Sequence, residues 1–341
     1  MGGVRLAVGG RERGLVRPFQ RSLDPARCKV RRAGWTGIFG MRLGALAGCR
    51  SSSIARMASA PEIAITIDDF NVNAETPHLD PDSRNAAILD TLRAARLQAA
   101  AFVAGKWVDN SEGQRRLALW SEAGHVLGNH SYSHWNYPQV DFETFSADLL
   151  RAEAVIAHHP TFSKRFRFPY LKEGATVEQR DRMRAFLKAQ GYRMGYVTVD
   201  ASDWAIDARL RKRLAENPMA PLDNYRNFYV EHIWERTQFY DGLARQVLNR
   251  PVRHTLLIHH NLLNALFLSD VLQMYAQRGW RVIDAQAAFQ DPVFASEPDV
   301  LPAGESIIWA LAKESGKHTS VLRYPAEDET YERGRMDELG L

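Results

Sequence analysis

From Glu62 to Phe289 the chain repeats one unit, a short β-branched or apolar run followed by a helix-length amphipathic stretch. Strand-like runs fall at Glu62 to Ile67, Ala99 to Val103, Val126-Leu127, Arg165 to Tyr170, Met194 to Val199, Thr255 to Ile258 and Trp280 to Ile283. Between them lie helical stretches such as Gln114 to Ala123, Phe142 to His158, Val177 to Ala189 and Leu262 to Gln277. Asp82 and Ser83 are placed to cap a first helix over Ile88, Leu92 and Ala95. Strands separated by helix-length crossovers run parallel. About seven of them in this length suit a β/α barrel, with an open doubly wound sheet as the alternative. Either way, functional side chains belong just beyond the C-terminal ends of strands.

Charge divides the chain at about residue 57. Residues 1–57 hold eleven Arg and one Lys against Glu12 and Asp24, so the net +4 of the whole leaves the remainder near −6. The basic tail lacks periodicity and reads as disordered. Arg31-Arg32 followed by Ala33 to Met41 has the outline of an export signal, and Leu46-Ala47-Gly48-Cys49 that of a lipoprotein cleavage box, although Arg42 interrupts the apolar stretch. The competing reading places the true start at Met41 or Met57. Location follows from that choice: extracytoplasmic with a leader, cytoplasmic without. Nucleic-acid binding would rest on the tail's charge alone and is not expected. No stretch reaches the ~20 apolar residues of a membrane span, and the sequence sets no oligomeric state. Both cysteines, Cys28 and Cys49, lie in the tail, so a metal held by the body must use His, Asp or Glu.

Five polar clusters close strand-like runs. Asp68-Asp69 follows the first, where strand alternation would turn the two side chains apart. His130 and His134 follow Val126-Leu127, four residues apart; a single helical turn there would project both imidazoles the same way. Arg167-Phe168-Pro169-Tyr170 offers a guanidinium for a carboxylate and a backbone N–H for an oxyanion. Asp200-Ala201-Ser202-Asp203-Trp204 ends the fifth run and His259 the sixth, and an Asp beside a His makes a general acid. Each cluster alone has a structural reading: a helix cap, packed imidazoles, a turn. Parallel strands bring all five to one mouth, which makes a site.

In order and content the clusters resemble the polysaccharide deacetylases, carbohydrate esterase family four, whose motifs here are Thr66-Ile67-Asp68-Asp69, His130-Ser131-Tyr132-Ser133-His134, Arg167-Phe168-Pro169-Tyr170, Asp200-Ala201-Ser202-Asp203-Trp204 and Leu256-Leu257-Ile258-His259. The resemblance spans Glu62 to Phe289 and implies a distorted, incomplete (β/α) barrel of about seven parallel strands. It implies one divalent ion, most often zinc, held by Asp69, His130 and His134. Asp68 would then be the base that deprotonates the attacking water, with Arg167 holding it. The Tyr170 N–H would stabilise the oxyanion, His259 would protonate the leaving amine, Asp203 would tune His259, and Trp204 would shape the acetyl pocket. The implied activity is removal of acetyl groups, chiefly N-acetyl, from an amino-sugar glycan or oligosaccharide.

The chain departs from the family where Phe70-Asn71 follows the Asp doublet in place of the usual glycine, which predicts an altered groove. His260 beside His259 raises a choice of acid, which the motif register settles for His259. A helical insert over about 208–248 carries Tyr225, Phe228, Tyr229, Trp234, Phe239 and Tyr240, either as a lid or sugar-stacking wall or as ordinary core. The organisation expected is therefore a tail at 1–57, a catalytic barrel at 58–293 and an acidic appendage at 294–341. Two competing functions share the scaffold: a C–N hydrolase of a small non-sugar amide or imide, and a catalytically silent carbohydrate-binding homologue. An open aromatic groove favours the glycan, and a closed small pocket the small amide.

Overall fold

The computed structural model describes residues 60–341, so the readings of the tail lie outside the described residues. In chain order the elements are β1 (Glu62–Asp68), α1 (Pro81–Ala95), β2 (Ala100–Val103), α2 (Ser111–Glu122), β3 (Val126–Asn129), α3 (Phe142–Ile156), β4 (Phe162–Phe166), β5 (Lys172–Gly174), α4 (Val177–Ala189) and β6 (Arg193–Met194). There follow α5 (Asp203–Glu216), α6 (Asp223–Leu248), β7 (Arg253–His259), α7 (Leu262–Gln277), β8 (Arg281–Val282), α8 (Ala285–Ala288), β9 (Ala303–Gly304), α9 (Ile307–Glu314) and α10 (Glu329–Glu338).

Seven parallel strands form the main sheet in the order β6-β4-β3-β2-β1-β7, with β8 beside the first residues of β1. The segment after β6 links the two edges. Gly195 donates its N–H to Phe166 O on β4 (2.7 Å), and Val199 exchanges hydrogen bonds with Thr255 O and the Leu257 N–H on β7 (2.9 and 3.0 Å). A ladder therefore curls round and is joined by one irregular stave, the distorted, incomplete barrel expected. That stave was expected as a continuous strand from Met194 to Val199. It breaks at Gly195, where a Cβ would come within 2.3 Å of the Phe102 ring, so the backbone lies directly on the barrel filling. Ile63, Ile65 and Ile67 on β1 and Leu256 and Ile258 on β7 are all buried, as strands covered on both faces require.

Local chemistry moved several boundaries. Helix α1 is capped by Asp80, whose carboxylate accepts the Ser83 N–H (2.8 Å). Pro81, with no N–H to satisfy, suits the first turn and shifts the cap upstream of Asp82. Asp82 instead pairs with Arg115 and Arg116 of α2. The strand expected from Arg165 to Tyr170 ends at Phe166, because Tyr170 and Leu171 take φ of 57° and 54° and turn the chain.

The expected insert begins earlier, as α5 and α6 from Asp203. Tyr225, Phe228, Tyr229, Trp234 and Tyr240 are buried in the main core, and none of them lines the cavity at the barrel mouth, so the lid or sugar-stacking wall is not what α6 supplies. The segment expected as an appendage also enters that core, through Ile307, Ile308, Trp309 and Met336. Its β9 pairs antiparallel with β5, bringing residues 303–305 to the mouth. Among the described residues, no helix is long and apolar enough to cross a membrane.

Candidate active site

A cavity of about 570 Å³ opens at the C-terminal ends of the strands. Asp68, Asp69, His130, His134, Tyr170, Trp204 and His259 line it, so all of the residues expected in the site reach it except Arg167 and Asp203, which are buried outside its lining.

Strand alternation would have sent Asp68 and Asp69 to opposite faces. Asp69 instead leaves strand geometry with φ 68°, a conformation Asp tolerates, so both carboxylates reach the mouth. Asp68 is buried and ion-paired to Arg167 Nη1. Arg167 is fixed in turn: Nε donates to Gly195 O (2.7 Å), Nη1 to Thr66 Oγ1 (2.9 Å), and the guanidinium lies 3.9 Å over the Phe102 ring.

His130 closes β3, and His134 lies beyond an irregular loop. The expected helical turn is absent, because Ser131 and His134 both take positive φ (61° and 55°). Polar contacts shape the loop instead. Asn129 Oδ1 accepts the Ser131 N–H (2.8 Å), Ser131 Oγ accepts the His134 N–H (3.1 Å), and Asp148 of α3 accepts the N–H groups of Tyr132 and Ser133 (2.9 and 2.8 Å) and the Ser133 hydroxyl (2.7 Å). Asp148 was missed in the sequence, where its only signal is a carboxylate on the buried face of an amphipathic helix.

The Asp69 carboxylate lies 2.8 Å from His134 Nε2 and 3.5 Å from His130 Nε2. His130 Nδ1 donates to Arg167 O (2.8 Å); a carbonyl can only accept, so Nδ1 carries a proton and Nε2 is the ring atom turned toward Asp69. Burial alone would raise the Asp69 pKa, but hydrogen bonds from His130 and His134 and the charge of His259 hold it well below the usual carboxylate range. Burial lowers the pKa of His134, which favours the neutral ring. One carboxylate and two imidazole rings, with ligand atoms all within 4.8 Å of one another, form a donor set that fits a divalent cation, which would take the place of the protons the rings share with Asp69.

Asp203, fully buried at the start of α5, accepts His259 Nδ1–H (2.7 Å), the His259 backbone N–H (2.9 Å), and Nδ2 of Asn261 (2.9 Å) and Asn264 (2.8 Å). Burial opposes a charge on His259, yet Asp203, with Asp69 and Asp68 beyond it, pushes its pKa up to about 10. His260 points the other way, as alternation requires, and its Nε2 donates to Asn85 Oδ1 (3.1 Å) behind the sheet. Asn261 and Asn264 carried no signal in the sequence beyond their proximity to His259.

A family profile described as polysaccharide deacetylase matches residues 55–195, which include the Asp doublet, both histidines and Arg167. Over these residues the chain resembles the polysaccharide deacetylase family. A peptidoglycan-N-acetylglucosamine deacetylase of Bacillus cereus is 27% identical over 145 residues, a match covering 42% of this chain and 46% of that protein, so somewhat under half the length of that relative is spanned. Among solved structures, a family 4 carbohydrate esterase from Streptomyces lividans in complex with acetate aligns at 19% identity, covering 68% of this chain and 97% of that one, with a TM-score of 0.44. A CE4 family pseudoenzyme from Bacillus anthracis aligns at 19% identity over 67% of this chain and 65% of that one, with a TM-score of 0.46.

Proposed function

We propose that this chain is a metal-dependent hydrolase that removes acetyl groups, N-acetyl first, from an amino-sugar glycan or oligosaccharide. The observation carrying the reading is that one cavity holds the Asp69-His130-His134 donor set between a carboxylate on β1 and an Asp-supported imidazole on β7. A divalent ion there, zinc in this reading, would polarise the acyl oxygen and lower the pKa of a water toward neutrality. Asp68, held by Arg167, takes a proton from the attacking water as its oxygen bonds to the acyl carbon. The Tyr170 backbone N–H faces the oxyanion that develops. His259, its Nδ1 held by Asp203, gives the Nε2 proton to the departing nitrogen, so the C–N bond breaks to acetate and a free amine. Trp204 and Tyr170 form the walls around the acetyl methyl.

One observation favours a small acylated amide over a long polymer. Glu305, Pro325, Glu327 and Asp328 of the C-terminal segment line the same cavity as the histidines, so this segment forms part of the wall around the site. Acetate release by the purified chain from N- and O-acetylated oligosaccharides and from simple acetamides, with zinc and again after chelation, tests both readings. Chelator-sensitive release from the sugars supports the deacetylase, release from the acetamides alone moves the assignment to the small amide, and no release with metal bound leaves a silent homologue.

A further inference from the structure

The same cavity is also lined by Lys172, Asp200, Glu305, Glu327 and Asp328, and four of these five side chains are acidic. Two of the acids are already neutralised. Glu305 pairs with Lys172 and accepts the Ala326 N–H (3.0 Å). Glu327 is held by Arg236 (2.6 Å) and Arg323 (2.8 Å). Asp200 has no such partner. It is only 7% exposed, it lines the cavity, and one of its oxygens accepts just the N–H of the adjoining Ala201 (2.9 Å). Among the described residues its other oxygen accepts nothing, and no cation lies within ion-pair distance of it. Asp328, which lines the same cavity, caps α10 through the Thr330 N–H (2.9 Å) and is likewise in no ion pair among the described residues.

A carboxyl nine-tenths buried with no cation in ion-pair contact is costly, and burial together with Glu327 and Glu305 drives the Asp200 pKa well above the carboxylate range against the weaker opposing pull of Arg236. A cation supplied by a ligand removes that penalty. A metal ion suits the place poorly, since Asp200 belongs to neither of the groups of three close ligand atoms found among the described residues. The partner that matches one buried, unpaired acid and a second unpaired acid lining the same cavity is an ammonium, with three donors on one nitrogen.

We infer that the Asp200 side of this cavity is a subsite for a protonated amine on the substrate, with Asp200 as its specificity-determining residue. The inference rests on the hydrolase reading and sharpens its substrate class. The preferred substrate is an acylated amine that carries a second, free amino group, such as a partly deacetylated amino-sugar oligosaccharide or a mono-acylated diamine.

Two arms separate those sources. In one, the purified chain is given the glucosamine disaccharide bearing one N-acetyl group, against its diacetyl form. In the other, mono-N-acetyl-1,4-diaminobutane is set against N-butylacetamide. The ammonium member of at least one pair should show kcat/KM about tenfold or more above its neutral partner, the size expected of one charge-assisted contact. Asp200→Asn should bring that ratio close to one. Equal values within both pairs in the wild type, or a preference undiminished in a folded Asp200→Asn, would overturn the subsite. Should Asp200→Asn fail to fold, Asp328→Ser, which keeps a capping side chain, should cut the ratio about threefold, and an unchanged ratio there would also count against it. Calorimetric binding of 1,4-diaminobutane and of the unacetylated glucosamine disaccharide, with n-butanol and the diacetyl disaccharide as neutral controls, reads the subsite without turnover. Amine binding that depends on Asp200 with no hydrolysis of any substrate would sink the hydrolase reading and leave the subsite standing, whereas hydrolysis without amine preference would do the reverse.

Discussion

Asp68 and His259 are direct neighbours in the parallel register of β1 and β7. Side chains at matched positions on adjacent parallel strands leave the sheet on the same face, and the strands are about 4.8 Å apart. The carboxylate and the imidazole therefore flank one position in the cavity by virtue of the ladder itself. Asp68→Asn preserves size and one acceptor oxygen but cannot take a proton. It should bind as much divalent metal as the wild type while kcat falls by about 10²- to 10⁴-fold. Metal analysis alongside steady-state rates checks this, and a kcat near the wild-type value would remove Asp68 as the base.

Asp203 engages both the ring and the backbone of His259, so its carboxylate sets the imidazole's orientation as well as its charge. An acid must be protonated to act, and a pKa raised to about 10 keeps the ring protonated at neutral pH, with activity lost as pH rises through the working pKa. Replacing the carboxylate by an amide withdraws the main raising influence. In Asp203→Asn the alkaline limb of the kcat/KM profile should move to lower pH and kcat should drop about 10²-fold or more. An unshifted limb would assign the acid to another group.

His130 and His134 hold the cation in this reading, but Asp148 holds the loop that carries them. Its carboxylate takes three hydrogen bonds from residues 132–133 without itself lining the cavity. Asp148→Ala leaves two backbone donors to find water and frees the loop. Metal affinity should weaken about 10- to 100-fold, the usual size of an outer-shell loss, whereas His134→Ala should abolish stoichiometric binding. Competition with a zinc-chelating dye ranks the variants, and wild-type affinity in Asp148→Ala would show that the loop keeps its shape unaided.

Much of this arrangement was legible in the sequence, for a physical reason. The alternation of strands and helices places strand ends at one mouth, so residues such as Asp68, His130 and His259 could be grouped without knowing any distance. What escaped were contacts that carry no periodic signal. Asp148 is one polar residue on a helix, and Glu305, Glu327 and Asp328 reach the cavity only because β9 pairs with β5 across more than a hundred residues of chain. The irregular loops also defeated ideal geometry. Asp69 and His134 reach the site through left-handed backbone, where strand alternation and a helical turn had predicted different routes.

Two histidines behind the sheet make the fold sensitive to acid. His125 Nδ1 accepts the Ala99 N–H (3.0 Å), and burial lowers its pKa to about 4. His260 is driven down to about 3 by burial, and its Nδ1 has no hydrogen-bond partner. Both folded-state values lie below that of an unfolded histidine, about 6.5, so between there and about pH 4 the unfolded chain binds protons the folded chain refuses, and stability falls as pH falls. Each group contributes up to about 1.4 kcal/mol per pH unit. Urea melts from pH 7 to pH 5 should therefore be flatter by about that slope in His260→Gln than in the wild type, a comparison that cancels the other titrating groups. Identical slopes would mean that His260 is already protonated in the folded state.

Phe70 stands where the family usually has glycine, and it keeps the backbone a glycine would choose, φ 62°. A left-handed conformation costs a non-glycine residue about 1–2 kcal/mol. The ring offsets this, being fully buried with its centroid 5.0 Å from that of Trp120 and 5.1 Å from that of His260. The substitution thus fills the space behind the Asp doublet with core, and the expected alteration of the groove is at this residue a packing change facing away from the cavity. Phe70→Ala should cost about 3–5 kcal/mol, the range for an emptied aromatic site. Phe70→Gly should fall within about 1 kcal/mol of it, because relief of the strained φ opposes the extra freedom glycine gives the unfolded chain. Urea unfolding followed by tryptophan fluorescence measures both, and a loss below about 1 kcal/mol in Phe70→Ala would mean that the ring does not offset the strain.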